Sequence, residues 1–163
     1  RFLFKLEVLR NSAETLAKIV NHRELGVEPT VEAVLDRETF AQVRATARRI
    51  FLPEVVADYI ARLVDATHPG QSAASEGVRY GASPRAALSL ASASKARALM
   101  HGRPNASFED VKALALPVLN HRVLLDYSAR IDGRTSASVV AALVREVPVQ
   151  DLAQPRSLKE AAP

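Results

Sequence analysis

The chain has 163 residues, 48% hydrophobic and only 5% aromatic, which allows one ordinary domain or two small ones packed through aliphatic and small side chains. It has no cysteine, which excludes a disulfide framework and thiolate metal sites and suits a cytoplasmic protein. Its net charge of +4 comes from basic residues spread among 18 acidic ones without a dense basic run, a pattern that argues for a solvated surface and against a nucleic-acid partner.

The opening RFLFKLEV places Phe2, Phe4, Leu6 and Val8 on one side at a period of two, with Leu3, Lys5 and Glu7 opposite. This predicts a strand with one buried face. A lone strand does not hold in water, so its sheet is expected upstream and the chain reads as part of a longer protein. Without that sheet, the same apolar residues would favour self-association or strand exchange. NSAETLAKIVNHRE follows as a short helix, with Ser12 as N-cap and Leu16, Ile19 and Val20 on its apolar face. Gly26 and Pro29 interrupt LGVEPTVEAVLD. Residues 1–36 therefore read as the end of one unit, and the linker near 26–38 as a hinge into the next.

From Arg37 the pattern is helical. RETFAQVRATARRIF carries Phe40, Val43, Ala47 and Ile50 at helical spacing. LPEVVADYIARLVDATH has Pro53 in its first turn and a stripe of Val56, Tyr59, Ile60, Leu63, Val64 and Thr67. HPGQSAASEGVR, residues 68–79, reads as a flexible loop by composition. A third helix starts with Ser83 as N-cap and Pro84 at its first position, and stops at Gly102. Ser107 and Asp110 resemble a capping box opening a fourth, with Val111, Leu114, Ala115 and Val118 inward and Pro117 expected to break or kink it. VLNHRVLLDY is then a turn or short helix, in which Arg122 is expected to bond helix carbonyls. TSASVVAALVREV is a last helix capped by Thr135 or Ser136. The units are thus 37–128, a helical bundle; 129–147, a C-terminal helix; and 148–163, a tail expected to be disordered at its end. The fold class is all-α, with an N-terminal strand and helix attached.

Arg85 breaks the rules of helix design. It sits second in its helix, where the positive end of the dipole disfavours a cation by about 0.3–1 kcal/mol. The same helix end offers free N–H groups to an anion, and a guanidinium adds a planar fork of donors suited to phosphate oxygens. Gly81 leaves room for close approach, Pro84 fixes the helix start, and Ser89, Ser92 and Ala96 keep the face small. Chemistry alone thus offers a phosphate sensor beside the plainer reading of a surface arginine.

The segments GASPRAALSLASASKARALMHGR and FEDVKALALPVLNHRV closely resemble the lid domain of the MoxR family of AAA+ ATPases. RFLFKLEV is similar to the family's strand after sensor 1. The resemblance covers residues 1–147 and is most specific over 80–122; magnesium-chelatase ATPase subunits share much of the pattern. It implies an AAA+ lid bundle in 37–128, following the end of the α/β ATPase core in 1–36. It implies that Arg85 is the sensor-2 arginine, contacting ATP phosphates with Pro84 shaping its turn. Arg1 is the candidate arginine finger, reaching the nucleotide of a neighbouring subunit. It further implies ATP and Mg2+ as cofactors, a hexameric ring, a von Willebrand A domain partner, and chaperone-like remodelling in the cytoplasm.

One departure is plain. No Gly-x-x-x-x-Gly-Lys-Ser/Thr phosphate loop occurs in these 163 residues, and no acidic Walker-B strand precedes Arg1. Hydrolysis is therefore expected only with a core that supplies them. The alternatives are a free-standing helical interaction module, either an adaptor or a nucleic-acid binder, and the lid of a magnesium-chelatase-like ATPase subunit. His22, His68, His101 and His121 follow no ligand spacing, so no metal site is expected. Asp126 and Tyr127 are as suited to ending a helix as to chemistry. No apolar run reaches membrane-spanning length, and no signal-peptide pattern opens the chain.

Overall fold

Seven α-helices follow one another through residues 2–149, the part of the chain that the computed structural model describes. They are α1 (Ala13–His22), α2 (Arg37–Arg49), α3 (Glu54–Asp65), α4 (Pro84–Met100), α5 (Phe108–Leu119), α6 (Tyr127–Ile131) and α7 (Ser136–Glu146). Two short strands, β1 (Val78–Tyr80) and β2 (Leu124–Leu125), pair antiparallel. The helical bundle expected from the sequence is the fold observed.

The helix starts follow from side-chain oxygens placed to accept orphan N–H groups. Ser12 Oγ accepts from Thr15 N at 3.2 Å, and Asp36 Oδ1 from Thr39 N at 2.7 Å. Ser107 with Asp110, and Thr135 with Ser138, form reciprocal capping boxes. Ser83 differs. It occupies the N-cap position of α4 in extended conformation, but its hydroxyl makes no cap bond. Pro84, with φ fixed for a first turn, and the bond from Ala86 N to Ser83 O at 2.7 Å hold that start instead.

α4 is the hub. It packs against α2, α3 and α5, and buries Ala86, Leu90, Ala93, Ser94 and Ala98 on more than one side. Its richness in Ala and Ser follows from this, because small side chains let three neighbours approach closely. The α3 stripe from Val56 to Thr67 is buried throughout, and the Tyr59 ring meets Phe108 edge-on at 5.7 Å. α7 adds Val139, Val140 and Leu143 to the same core.

A buried carboxylate fastens α4 to α5. Asp110 is fully buried and accepts from Arg97 Nη1 at 3.0 Å, from Arg103 Nη1 at 2.9 Å, and from Ser107 N at 2.9 Å. Nothing in the sequence pattern pointed to this cluster beyond the capping-box spacing of Ser107 and Asp110.

Two expectations are corrected, and the N-terminal stretch stands uncovered among the described residues. Residues 68–79 are not a structureless loop: they contain a 3-10 turn, Ala73–Ser75, and lead into β1. Arg134 ties this stretch down by donating to the carbonyls of Glu76 and Ala74. Pro117 does not break α5, which continues to Leu119. Only the bond to Ala113 is lost there, and the Pro117 carbonyl accepts from Lys5 N at 2.9 Å. Residues 2–8 pair with no strand among the described residues, and Phe2, Leu6 and Val8 lie exposed. α1 forms as expected, but its Leu16, Ile19 and Val20 face no covering element among the described residues.

Candidate functional site

The start of α4 is positioned from both sides. Thr67, buried at the end of α3, donates to Val64 O at 2.6 Å and accepts from Ala82 N at 2.8 Å. Gly81 lies so close to His68 that a Cβ there would come within 2.8–2.9 Å of His68 Cγ, Cα and Cδ2. The space that glycine provides is therefore filled by His68 of this chain, which corrects the expectation that Gly81 opens the helix start to an outside ligand. On the other side, β1 pairs with β2, with Tyr80 opposite Leu124. That pairing brings the turn after α5, and with it His121 and Arg122, beside the first turn of α4.

A cavity of about 340 Å³ results, lined by Phe2, Tyr80, Ser83, Arg85, His121 and Arg122 among others, with no carboxylate in its wall. Arg85 stands exposed at the second position of α4. Its guanidinium makes no hydrogen bond or ion pair with any described residue, while its backbone carbonyl accepts from Ser89 Oγ at 2.8 Å. Pro84 sets the turn from which it projects. Arg122 does not bond helix carbonyls as expected. Its Nη2 donates to the Phe2 carbonyl at 2.8 Å, and His121 Nε2 lies 3.1 Å from the same oxygen. Phe2 lines the cavity, and Lys5 N in the same segment is held at Pro117 O at 2.9 Å.

Sequence reading singled out Arg85 and did not single out the neighbours that line the same cavity. The NHR triplet signalled two donors in a row, but only the β1–β2 pairing reveals where they converge. Ser92 and Ala96 lie elsewhere, in a separate groove of about 580 Å³ between α2 and α4 that Arg44, Arg48 and Lys95 border. Arg1, the candidate finger, lies outside the described residues, as do residues 150–163 of the tail. Asp126 starts a helix and does not end one: its Oδ1 accepts from Ala129 N at 2.8 Å. That bond, with a second from Ser128, keeps its carboxyl below the ordinary value.

The chemistry available is anion recognition: one unengaged guanidinium at a helix N-terminus, a second guanidinium and an imidazole nearby, and no competing acid. Among the described residues, no group of His, Asp or Glu is placed to hold a metal ion.

Residues 70–143 match the AAA lid domain family. Chaperone MoxR1 of Mycobacterium tuberculosis is 30% identical over 99% of this chain and 46% of its own length. The chain is similar to MoxR-like AAA ATPases over a portion of them that includes the AAA lid domain. It spans about half the length of the curated relatives it matches, and the lid domain falls within that span. The uncharacterized protein YeaC of Bacillus subtilis is 29% identical over 92% of this chain and 46% of its own. In three dimensions the lid region and its flanks superpose on the crystal structure of a candidate ATPase from Cytophaga hutchinsonii. The TM-score is 0.82 at 26% identity, over 93% of this chain and 47% of that one. No described helix of the chain is long and apolar enough to cross a membrane.

Proposed function

We propose that this chain is the lid portion of an ATP-hydrolysing, chaperone-like remodelling ATPase, and that Arg85 is its sensor-2 arginine. The carrying observation is the Arg85 guanidinium itself. It is engaged by no described residue, at a helix end rich in donors, on the border of a cavity without carboxylates. A cation in that place weakens its own helix, and gains purpose when a phosphate arrives. Similarity to chaperone MoxR1 and to a candidate ATPase supports the class.

In this reading ATP and Mg2+ are held mainly by the portion of the relatives that this chain does not match. Arg85 then senses the terminal phosphate from the lid side. The unit boundaries follow: 1–36 joins the ATPase core, 37–128 is the lid bundle, 129–147 its last helix, and the linker near 26–38 the hinge across which lid closure gates turnover. Arg1 acts as the finger toward a neighbour's nucleotide in a cytoplasmic hexameric ring, and a von Willebrand A domain protein is the partner.

The test is Arg85→Ala in the full-length protein. ATP turnover falls by about tenfold or more, the order expected for loss of a transition-state guanidinium contact, while the circular dichroism spectrum and melting temperature stay at wild type. Unchanged turnover in a folded variant removes the assignment.

A further inference from the structure

Arg122 is employed differently from the four other arginines of the bundle whose side chains have partners among the described residues. Arg97 and Arg103 are spent on Asp110, Arg62 on the carbonyls of Pro148 and Val149, and Arg134 on those of Ala74 and Glu76. Arg122 uses one of its five N–H donors, at Phe2 O. Its Nε is closed off from solvent with no partner among the described residues, and so is Nδ1 of the adjacent His121. Buried polar nitrogens without partners are rare in folded proteins and call for an explanation such as an ion from outside. Both residues line the cavity that Arg85 borders, whose wall contains no acid to neutralise them.

We propose that Arg122 is a second phosphate-contacting residue, closing with Arg85 on the same terminal phosphoryl group of a nucleoside triphosphate. The idea rests on the sensor reading of Arg85 and adds a residue to that site. A terminal phosphoryl group spreads its charge over three oxygens, so two guanidinium forks can share it. The bond to Phe2 has a separate purpose: it holds the Arg122 side chain in place before the phosphate arrives, so that less ordering remains on binding.

The experiment is a double-mutant cycle in the full-length protein, read by ATP turnover and by equilibrium binding of AMP-PNP and ADP, with inorganic phosphate as a control ligand. Arg122→Gln keeps an amide donor for the Phe2 carbonyl and removes the charge. It lowers turnover about fivefold or more, weakens AMP-PNP while leaving ADP and inorganic phosphate unaffected, and melts as wild type does. Arg122→Lys recovers only part of the loss, because the charge returns without the fork. Combined with Arg85→Ala, the loss is clearly smaller than the product of the single losses, since both side chains grip one group. Wild-type turnover in Arg122→Gln reduces Arg122 to a clamp on Phe2 and overturns the proposal, as does a strictly multiplicative double variant. If Arg85→Ala slows turnover and Arg122→Gln does not, only this proposal falls; if Arg85→Ala has no effect, the sensor reading falls and this one with it. Should Arg122→Gln fail to fold, wild-type AMP-PNP affinity in Arg122→Lys is the overturning result.

Discussion

Arg103 and Asp110 form a two-pronged ion pair, Nη1 to Oδ2 at 2.9 Å and Nη2 to Oδ1 at 2.5 Å, beneath the α4–α5 junction. The carboxylate is fully buried while the Arg103 side chain keeps 36% of its exposure. Arg97 completes the set from within α4. Asp110→Asn leaves the shape but strands two guanidinium groups with no anion. Breaking a buried pair by removing one partner costs about 3–5 kcal/mol, and the half-open position of both arginines argues for the lower end. Urea titration is expected to show a loss near 3 kcal/mol, while a loss below about 1 kcal/mol would mean that the cluster contributes little.

The same carboxylate sets a response to acid. Burial pushes the Asp110 pKa up, but hydrogen bonds from Arg103 and from the Ser107 amide and hydroxyl, together with the Arg103 charge, pull it down further. It rests at about 2, against an ordinary 3.8. A folded-state pKa below the unfolded one means that the contribution is complete above about pH 4 and disappears as pH falls through about 2. It amounts to about 2 kcal/mol. Melting temperatures measured from pH 5 to pH 2 therefore drop more steeply for the wild-type chain than for Asp110→Asn. Parallel curves would contradict this.

The helices were legible wherever their signals are local. Ser12, Pro84, the Ser107–Asp110 box and Thr135 mark their starts in the sequence, and each starts a helix in the structure. The α3 stripe was legible for the same reason: period and burial agree along one element. What stayed hidden depends on contacts distant in sequence. β1 and β2 have three and two residues, too few to show a period. Pro117 looked like a breaker because its missing N–H is local, whereas the two further residues of α5 are held by core contacts of Val118 and Leu119. Arg85 stands out in the sequence because it contradicts a local rule. Arg122 contradicts none, so only the fold shows that it shares a cavity with Arg85.

Gly81 tests how tightly α3 and α4 are joined. Gly81→Ala places a methyl 2.9 Å from the Cα of His68, and backbone cannot swing away as a side-chain tip can. Overpacking of this kind costs about 1–3 kcal/mol. Pairing it with His68→Ala relieves only the clash with the ring atoms, so the double variant is expected to recover part of the loss and not all of it. Full recovery would show that the imidazole alone sets the spacing. No loss in the single variant would show that the segment before α4 shifts freely.

Thr67 reaches the site by a single bond. Its hydroxyl donates to Val64 O and accepts from Ala82 N, and the whole side chain is buried. Thr67→Val keeps the volume but leaves the Ala82 amide without an acceptor, at a cost of about 1–3 kcal/mol. Ala82 stands three residues before Arg85, so the loosening falls on the approach to the first turn of α4. Amide hydrogen exchange read residue by residue separates this from general destabilisation: protection at Ala82 is expected to fall more than at Leu63 or Leu90, which lie in the core. Thr67→Ser retains the hydroxyl and restores protection at Ala82 despite the lost methyl. Uniform loss across the bundle in Thr67→Val would instead assign the threonine to packing, and the helix start would then owe its position to Pro84 and the β1–β2 pairing alone.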